Sequence, residues 1–525
     1  MLASNLPYLI AWAVTPSDAH FTGFVFNPID GHSYLAKMRQ GFEGAWRFQL
    51  AFTPERSPGA HIFLFHLALG HLARWTKLPL IAVYHGARVL GGAAMLAAIY
   101  ALVARLSAKR LERGTMFLLT VLGSGLGWLM MMVGVRTADL WVAEAFPVYS
   151  LMANAHFPFA IGLMSIIGYC ALRVLDIDEE TEEESAAAWP WGLTMALGAV
   201  LLGAVQPFGL VPVFGGLGIV LAARMISGGP GTRSFIPWRP AAWIIGAATV
   251  ALPYPLYMQA AIHSDPLLAA WNAQNITSSP PAWDWALSYG VIFVLAAWGS
   301  IRIAQRRKSR GLLMVGWVLV TLLGMYVPLS LQRRLSIGLG VPMGLLAGIG
   351  WWRGARERIS VRARSLVRRL IIAFSALTPT FLIVAAALSA LGAQASSPTS
   401  WLYLTNGEWA ALQWLRNRPE SEQEAVVLCA PQTGTFIPAW AGQRVVYGHP
   451  FETTNAEQRE EQVEAYWTGR MTTAQQAAFF RENDVRYVLS GPREQALAAD
   501  TEKRAEVGDL VFEKDDTRIY AVRDD

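Results

Sequence analysis

Charge is what this sequence has least of. Only 15% of its 525 residues are Asp, Glu, Lys or Arg, against roughly 25% in soluble domains. Hydrophobic residues make up 54%, and mean hydropathy is positive. That balance excludes an ordinary soluble enzyme and predicts a polytopic membrane protein. Cysteine occurs only as Cys170 and Cys429, with no Cys-x-x-Cys and no Cys/His ligand spacing, so neither a disulfide framework nor a zinc site is implied. No Lys or Arg precedes Lys37, which removes the charged start of a signal peptide. Residues 2–14 are apolar, yet a helix of that length reaches about 20 Å against a hydrocarbon core of about 30 Å. The expectation is that the chain begins inside a fuller first helix, or that its true start lies upstream. No internal repeat relates the two halves, and few ionisable residues occupy the middle of an apolar run. Both absences count against an ion-coupled transporter.

The net charge of +5 does not point to nucleic acid, because the Lys and Arg residues gather in short connectors between apolar runs. By the positive-inside rule the connectors Arg105–Arg113, Arg224–Arg239, Arg302–Arg310 and Arg353–Arg369 are expected to be cytoplasmic. The acidic connector Asp176–Glu184 falls on the same side, where acids weigh little in the rule. Leu80–Ala104 then reads as the crossing that follows the first polar loop, and Gly59–Trp75 as a helix at the outer surface. Further spans are expected near Thr115–Val133, Tyr149–Leu172, Pro190–Val205, Leu210–Met225, Ala241–Ile262, Asp284–Ile303, Gly311–Val327, Leu335–Trp352 and Leu370–Leu391. With the first short helix, about eleven spans result. The 21 Trp residues suit the two membrane interfaces. Pro190, Pro207, Pro212, Pro253 and Pro255 break several spans, and such breaks need protein or a wet cavity around them.

Near Gln394 the pattern changes. A polar hinge, Ser396-Ser397-Pro398-Thr399, precedes alternating helix and strand signals: helices at 407–417, 457–468 and 473–482, strands at 425–429, 444–447 and 485–489. The fold class expected is therefore mainly α: a polytopic helix bundle with external juxtamembrane helices over 1–392, including a first external loop at 15–79, and a small α/β domain over 393–525. An odd span count places that domain outside the cytoplasm. Thr433-Gly434-Thr435 and Gly448-His449-Pro450 read as turns in it, with a binding site as the lesser alternative.

The first polar loop, Thr15–Pro58, centres on Asn27-Pro28-Ile29-Asp30-Gly31-His32-Ser33-Tyr34-Leu35-Ala36-Lys37. Pro28 stiffens the approach and Gly31 is expected to let the backbone turn. From Ser33 the spacing of Tyr34, Leu35, Met38 and Phe42 predicts a short amphipathic helix along the bilayer surface. Asp30 would sit at the water–lipid boundary, as a helix N-cap, a catalytic carboxylate, or both. A second loop, between Val133 and Tyr149, carries Arg136, Asp139 and Glu144, followed by Asn154 and His156. Hard oxygen ligands of this kind suit Mg²⁺ or Mn²⁺ holding a phosphate, or they are ordinary charges of a solvated loop. Gln332-Arg333-Arg334 lies on the outer side by the same count, against the positive-inside bias. A guanidinium pair there binds a phosphate bidentately or snorkels to lipid headgroups.

These residues together define a type of site: a carboxylate, candidate metal ligands and arginines on one face of the bilayer, with broken helices to hold a lipid chain. The arrangement resembles the GT-C superfamily of membrane glycosyltransferases, the class that includes protein O-mannosyltransferases and the aminoarabinose transferase of lipid A. The resemblance rests on a D-x-x-x-Y-L-x-x pattern in the first loop (Asp30, Tyr34, Leu35), on Ser124-Gly125-Leu126-Gly127-Trp128, on Asp139 and Glu144, on His156-Phe157, and on Gln332-Arg333-Arg334. It implies a polyprenyl-phosphate-linked sugar as donor, transfer with inversion, and a glycan, lipid or protein acceptor outside the cytoplasm. Many relatives pair two acids in the first loop, whereas here Gly31 follows Asp30 and the nearest acids are Asp18 and Glu43. A polyprenyl phosphate is already a good leaving group, so the reaction needs a base for the incoming hydroxyl and cations for the departing phosphate. The expected roles are Asp30 as base and Arg333, Arg334 and a metal at Asp139 and Glu144 as cations, with Tyr34, Lys37, Arg88, His156 and Gln332 as further substrate contacts. A lipid-linked oligosaccharide ligase or polymerase, a flippase, and a non-catalytic anchor with a partner-binding external domain are the competing readings.

Overall fold

A computed structural model describes residues 1–176, 182–227, 238–306, 309–394, 397–419, 422, 424–498 and 508–523. Most of the acidic connector after Asp176, most of the basic connector between Arg224 and Arg239, and Ser396 of the hinge lie outside the described residues. Among the described residues five helices are long and apolar enough to cross a membrane: Leu80–Leu106, His156–Asp176, Ala188–Val205, Pro207–Ile226 and Trp238–Ser264. Two bent pairs raise the number to seven if each is one span: Ala282–Tyr289 with Val291–Gln305, bent by 101°, and Arg364–Ser375 with Leu377–Gly392, bent by 41°.

Several of the expected spans are broken or shortened for local reasons. The expected span Thr115–Val133 is instead a helix over Arg110–Val121, a break through Ser124 and Gly125, and a short turn at Gly127–Met130. The freed backbone N–H groups of Gly125 and Gly127 donate to the Asp139 carboxylate rather than to a preceding helical carbonyl. Gly311–Val327 gives a helix of 16 residues, Ser309–Gly324. Leu335–Trp352 divides into a 3₁₀ turn, Gln332–Ser336, and a helix over Gly340–Arg353.

The chain divides into two compact units. A bundle unit comprises Met1–Ser4, Gly86–Tyr257 and Ile276–Val384; a loop unit comprises Asn5–His85, Met258–Asn275 and Ala385–Asp525. In the bundle unit His156–Asp176 is the core helix, with 72% of its most apolar window buried, against 39% or less for the other spans. Its neighbours leave residues such as Leu90 and Leu197 exposed, as lipid-facing helices do. Val291–Arg306 packs along Gly340–Arg353, and Leu210–Ser227 along Ser309–Gly324.

Among its described residues the loop unit contains seven strands: β1 (Ala19–Phe21), β2 (Tyr403–Thr405), β3 (Val426–Leu428), β4 (Arg444–Val445), β5 (Val485–Ser490), β6 (Gly508–Lys514) and β7 (Thr517–Val522). Five form a mixed sheet in the order β4-β3-β5-β7-β6, with β3 parallel to both β4 and β5 and the β6–β7 hairpin antiparallel. The α/β pattern expected for the last 130 residues is thus present, with β6 and β7 added. The first polar loop joins that unit directly: β1 pairs antiparallel with β2, Phe21 opposite Tyr403.

The loop's helix differs from expectation in three ways. It spans Pro28–Glu43, not Ser33 onwards, because proline at its first position presets the helical φ and Asn27 precedes it. Asn27, not Asp30, is the N-cap, and Asp30 sits in the first turn. The helix does not present an open face to a bilayer, since His32, Ser33, Leu35, Ala36, Lys37, Met38 and Arg39 are all buried, packed on the helices Leu64–Thr76 and Pro431–Trp440. Gly31 makes no turn. A Cβ there would come within 2.3 Å of the Phe24 ring, so glycine is needed for room. Thr433-Gly434-Thr435 is likewise helical rather than a turn. Gly434 meets the backbone of Tyr447 and Gly448 so closely that a Cβ would lie 2.0 Å from the Tyr447 carbonyl oxygen, which fixes the segment carrying His449.

Candidate active site

Of the predicted site residues, Asp30, Tyr34 and Lys37 belong to the loop unit; Arg88, Asp139, Glu144, His156, Gln332, Arg333 and Arg334 belong to the bundle unit. The two groups are built on different principles.

In the loop unit, Asp30 lies in the first turn of the Pro28–Glu43 helix, where the helix dipole favours a carboxylate. Its side chain is 44% exposed, and Oδ1 stands 3.8 Å from Nε2 of His449. His449 is buried, and its Nδ1 accepts from the backbone N–H groups of Phe451 (3.1 Å) and Glu452 (3.2 Å). With Nδ1 an acceptor twice over, the ring proton sits on Nε2, the atom that faces Asp30.

The Gly448–Asn455 segment that carries His449 is held from several sides. Thr453 donates to the Phe52 carbonyl (2.7 Å) and itself accepts from the His449 N–H (3.2 Å). Gln274 donates to the Thr453 carbonyl at 2.5 Å and accepts from the Asn455 N–H at 3.0 Å, and Asn275 donates to the Phe451 carbonyl. From the helix, Lys37 and Ser33 both donate to Glu452, and the Lys37 ammonium also donates to Ser33 at 2.6 Å. Burial pushes the Glu452 carboxyl up, but the Lys37 ammonium and these hydrogen bonds outweigh it and hold the group below the usual carboxylate range. Burial also drives His32 down to about 4, against a hydrogen bond to the Pro28 carbonyl. A neutral His32 then wedges edge-on against Phe24 and Phe436.

Lys37 was expected to contact substrate. Its side chain is 1% exposed, with its ammonium on Glu452 and Ser33 and over the Phe63 ring at 4.7 Å. The geometry makes it part of the frame. Tyr34, half-buried one turn after Asp30, stacks on His66 with ring centroids 4.5 Å apart.

In the bundle unit, Asp139 is buried and accepts from Ser124 Oγ (2.9 Å), Thr137 Oγ1 (2.7 Å) and the backbone N–H groups of Gly125 and Gly127. Burial nevertheless leaves its carboxyl above the usual range, with those hydrogen bonds pulling the other way. The Ser124-Gly125-Leu126-Gly127 motif and Asp139 are therefore two halves of one turn. Asp284 and Ser288 complete it: Ser288 receives the Asp139 N–H at 3.3 Å and donates to Asp284, which also receives the Ala138 N–H. Neither acid nor serine in that 284–288 turn stood out in the sequence, because both lie within an apolar run.

Glu144 pairs with Arg333, Oε1 to Nε 3.4 Å, and Arg333 lies over the Trp141 ring at 4.9 Å. Arg334 lies over Phe208 and, among the described residues, forms no ion pair. Gln332 fits with its amide nitrogen toward the Met325 and Val327 carbonyls, closing its own loop. Arg88 is buried and donates to the Leu151 carbonyl at 2.6 Å; His156 is buried beside Phe157.

The metal expected at Asp139 and Glu144 does not fit these residues. Both oxygens of Asp139 already face donors, and Glu144 faces a guanidinium. Among the described residues no group of three or more His, Cys, Asp or Glu has metal-binding geometry.

No protein-family model matches the sequence, and no curated protein matches it. Among solved structures, the chain is similar to ArnT from Cupriavidus metallidurans bound to undecaprenyl phosphate, with a TM-score of 0.56 at 13% identity over 99% of this chain and 96% of that one. It is also similar to the Archaeoglobus fulgidus oligosaccharyltransferase in complex with Zn and sulfate, with a TM-score of 0.53 at 14% identity over 93% and 67% of the two chains. The archaeal oligosaccharyltransferase AglB with an inhibitory peptide and a dolichol-phosphate gives a TM-score of 0.50 at 15% identity. The chain thus has the fold that these solved structures share, as the sequence resemblance implied.

Proposed function

We propose, from this shared fold, that the chain is an inverting glycosyltransferase that moves a sugar from a polyprenyl-phosphate donor to an acceptor hydroxyl. The observation that carries the reading is the half-exposed Asp30 carboxylate, set in the first turn of a helix with Nε2 of His449 3.8 Å away. A base that must meet an incoming hydroxyl has to be reachable by it, and Asp30 is half-exposed on a rigid helical turn.

Asp30 takes the acceptor's proton as its oxygen attacks the anomeric carbon, and the sugar–phosphate bond breaks on the opposite side with inversion. His449 is a positioning residue that holds the carboxylate in line. Arg334, and Arg333 when its pairing with Glu144 yields to a stronger anion, neutralise the departing phosphate. Tyr34 is the sugar-facing contact closest to Asp30 along the helix. The loop unit works outside the cytoplasm, in keeping with the basic connectors. No metal is given a part in this scheme.

Incubating membranes with labelled polyprenyl-phosphate sugars and identifying the product that gains label tests the reading. Wild-type membranes are expected to form a new glycosidic product and Asp30→Asn membranes none, at equal protein level. Equal labelling by the two would remove Asp30 from the reaction; movement of label across the membrane without a new bond would make the protein a flippase.

A further inference from the structure

The bundle unit carries a second feature that sugar transfer does not use. Between the helices Arg110–Val121 and Arg364–Ser375 lies an open groove of about 550 Å³, within the usual size of a small-ligand site. Arg110, Arg368 and Arg369 stand over it, and Leu111, Leu118 and Ile372 supply apolar walls. Among the described residues none of the three guanidinium groups forms an ion pair. The nearest acid in sequence, Glu112, is taken up by Lys109 at 3.7 Å and Ser107 at 2.8 Å. The second helix has the make-up of an interfacial helix, with Arg364, Arg368 and Arg369 set among Leu366, Val367, Leu370 and Ile371.

Two physical points identify the occupant. Three cations with no carboxylate partner among the described residues favour an anion, and a groove open along apolar side chains favours one that carries a hydrocarbon tail. The walls alone give no selectivity, since lipid tails are as apolar as leucine. Discrimination must come from the arginines. The floor is left open by Gly114, where an added Cβ would meet no atom within 4 Å.

We propose that this groove binds one anionic membrane phospholipid, its phosphate on Arg110, Arg368 and Arg369 and the start of an acyl chain along Leu111, Leu118 and Ile372. The bound lipid ties the amphipathic 364–375 helix to the 110–121 helix and fixes its depth at the interface. This site is independent of the Asp30 chemistry.

The test uses the full chain in nanodiscs of equal phosphatidylglycerol and phosphatidylcholine, extracted into detergent, with retained lipids counted by native mass spectrometry. Wild type is expected to retain one phosphatidylglycerol in preference to phosphatidylcholine by about tenfold or more. The triple variant R110Q/R368Q/R369Q should lose that preference. Gly114→Leu should lose retention with every arginine in place, and it fills open space with a better helix former, so its fold is kept. Arg362→Gln, an exposed arginine outside the groove, should change nothing. Equal retention of the two lipids by wild type, unchanged retention in Gly114→Leu, or an equal loss in Arg362→Gln would overturn the site. Displacement of the lipid by excess inorganic phosphate would also overturn it, as a phosphate site rather than a lipid site.

Discussion

Asp30 and Asp139 look alike in the sequence: each is an acid in a polar loop between apolar runs. Their surroundings in the two units are opposite. Asp139 is 2% exposed and its oxygens receive four donors from its own loop and the Ser124–Gly127 turn. Asp30 keeps a 44% exposed side chain, while the polar machinery around it is engaged elsewhere: His449 with two backbone N–H groups, Glu452 with Lys37 and Ser33. A buried acid held by backbone N–H groups organises its own loop; a half-exposed acid can be reached by an incoming hydroxyl. The lesson is that burial, rather than position in a loop, separates the two roles.

That contrast can be broken experimentally. The largest expected effect is on turnover: Asp30→Asn should lower sugar transfer by about 10²–10⁴-fold, the range for a lost general base, with an unchanged melting temperature. Asp139→Asn should do the reverse. It places an amide N–H₂ against N–H and O–H donors in a buried site, and a loss of about 3–5 kcal/mol is expected, read as a fall in melting temperature and in yield of folded protein. If Asp139→Asn melts like wild type, the structural role assigned to Asp139 fails. Lys37→Met should resemble Asp139→Asn rather than Asp30→Asn, since it leaves Glu452 buried without its cation; a loss of about 3 kcal/mol or more should be partly restored in Lys37→Met/Glu452→Leu.

Smaller effects sharpen the comparison. His449→Ala should reduce turnover about tenfold, roughly 1.4 kcal/mol for losing the imidazole that stands 3.8 Å from the Asp30 carboxylate, with little change in donor KM. A change confined to KM would reassign His449 to binding. The smallest effect is on pH dependence. Glu452 is held below its unfolded value, so its stabilisation is complete above the ordinary carboxylate range and is lost as pH falls through the lower, folded value. Acidification from neutral pH should therefore weaken the loop unit, and Glu452→Gln should flatten that slope. Asp139 is shifted upward, so its own contribution has the opposite sign, greatest below the ordinary range and lost as pH rises through the folded value.

Local patterns carried most of what the sequence disclosed. Leu80–Leu106 reads as a crossing from its unbroken hydropathy, and the helices at Asn406–Arg416 and Thr473–Glu482 announce themselves through capping boxes, Thr405 with Glu408 and Thr472 with Gln475. Asp30 stood out because polar residues are scarce before residue 390. What stayed hidden depends on contacts between distant segments. Nothing near Gly448-His449-Pro450 signals that His449 faces a helix more than four hundred residues earlier. The one available hint was Ser33 and Lys37, four residues apart on a face that also needs burial: a lysine there demands an acid from elsewhere. The break in the expected span at 115–133 was hidden for a related reason, since hydropathy alone does not reveal that Gly125 and Gly127 give their N–H groups to a later carboxylate.

The pairing of β1 with β2 sets a timetable for biogenesis. Thr22 bonds to the carbonyl of Trp401, 379 residues further along, and a ribosome adding roughly 5–20 residues per second needs about 20–80 s to cover that distance. Through that interval the segment bearing Asp30 has been made but has no edge strand to join and no Glu452 for its buried lysine. A newly made chain is therefore exposed to proteolysis near its beginning until its end has been synthesised, and truncation anywhere before Tyr403 should leave the first loop unprotected.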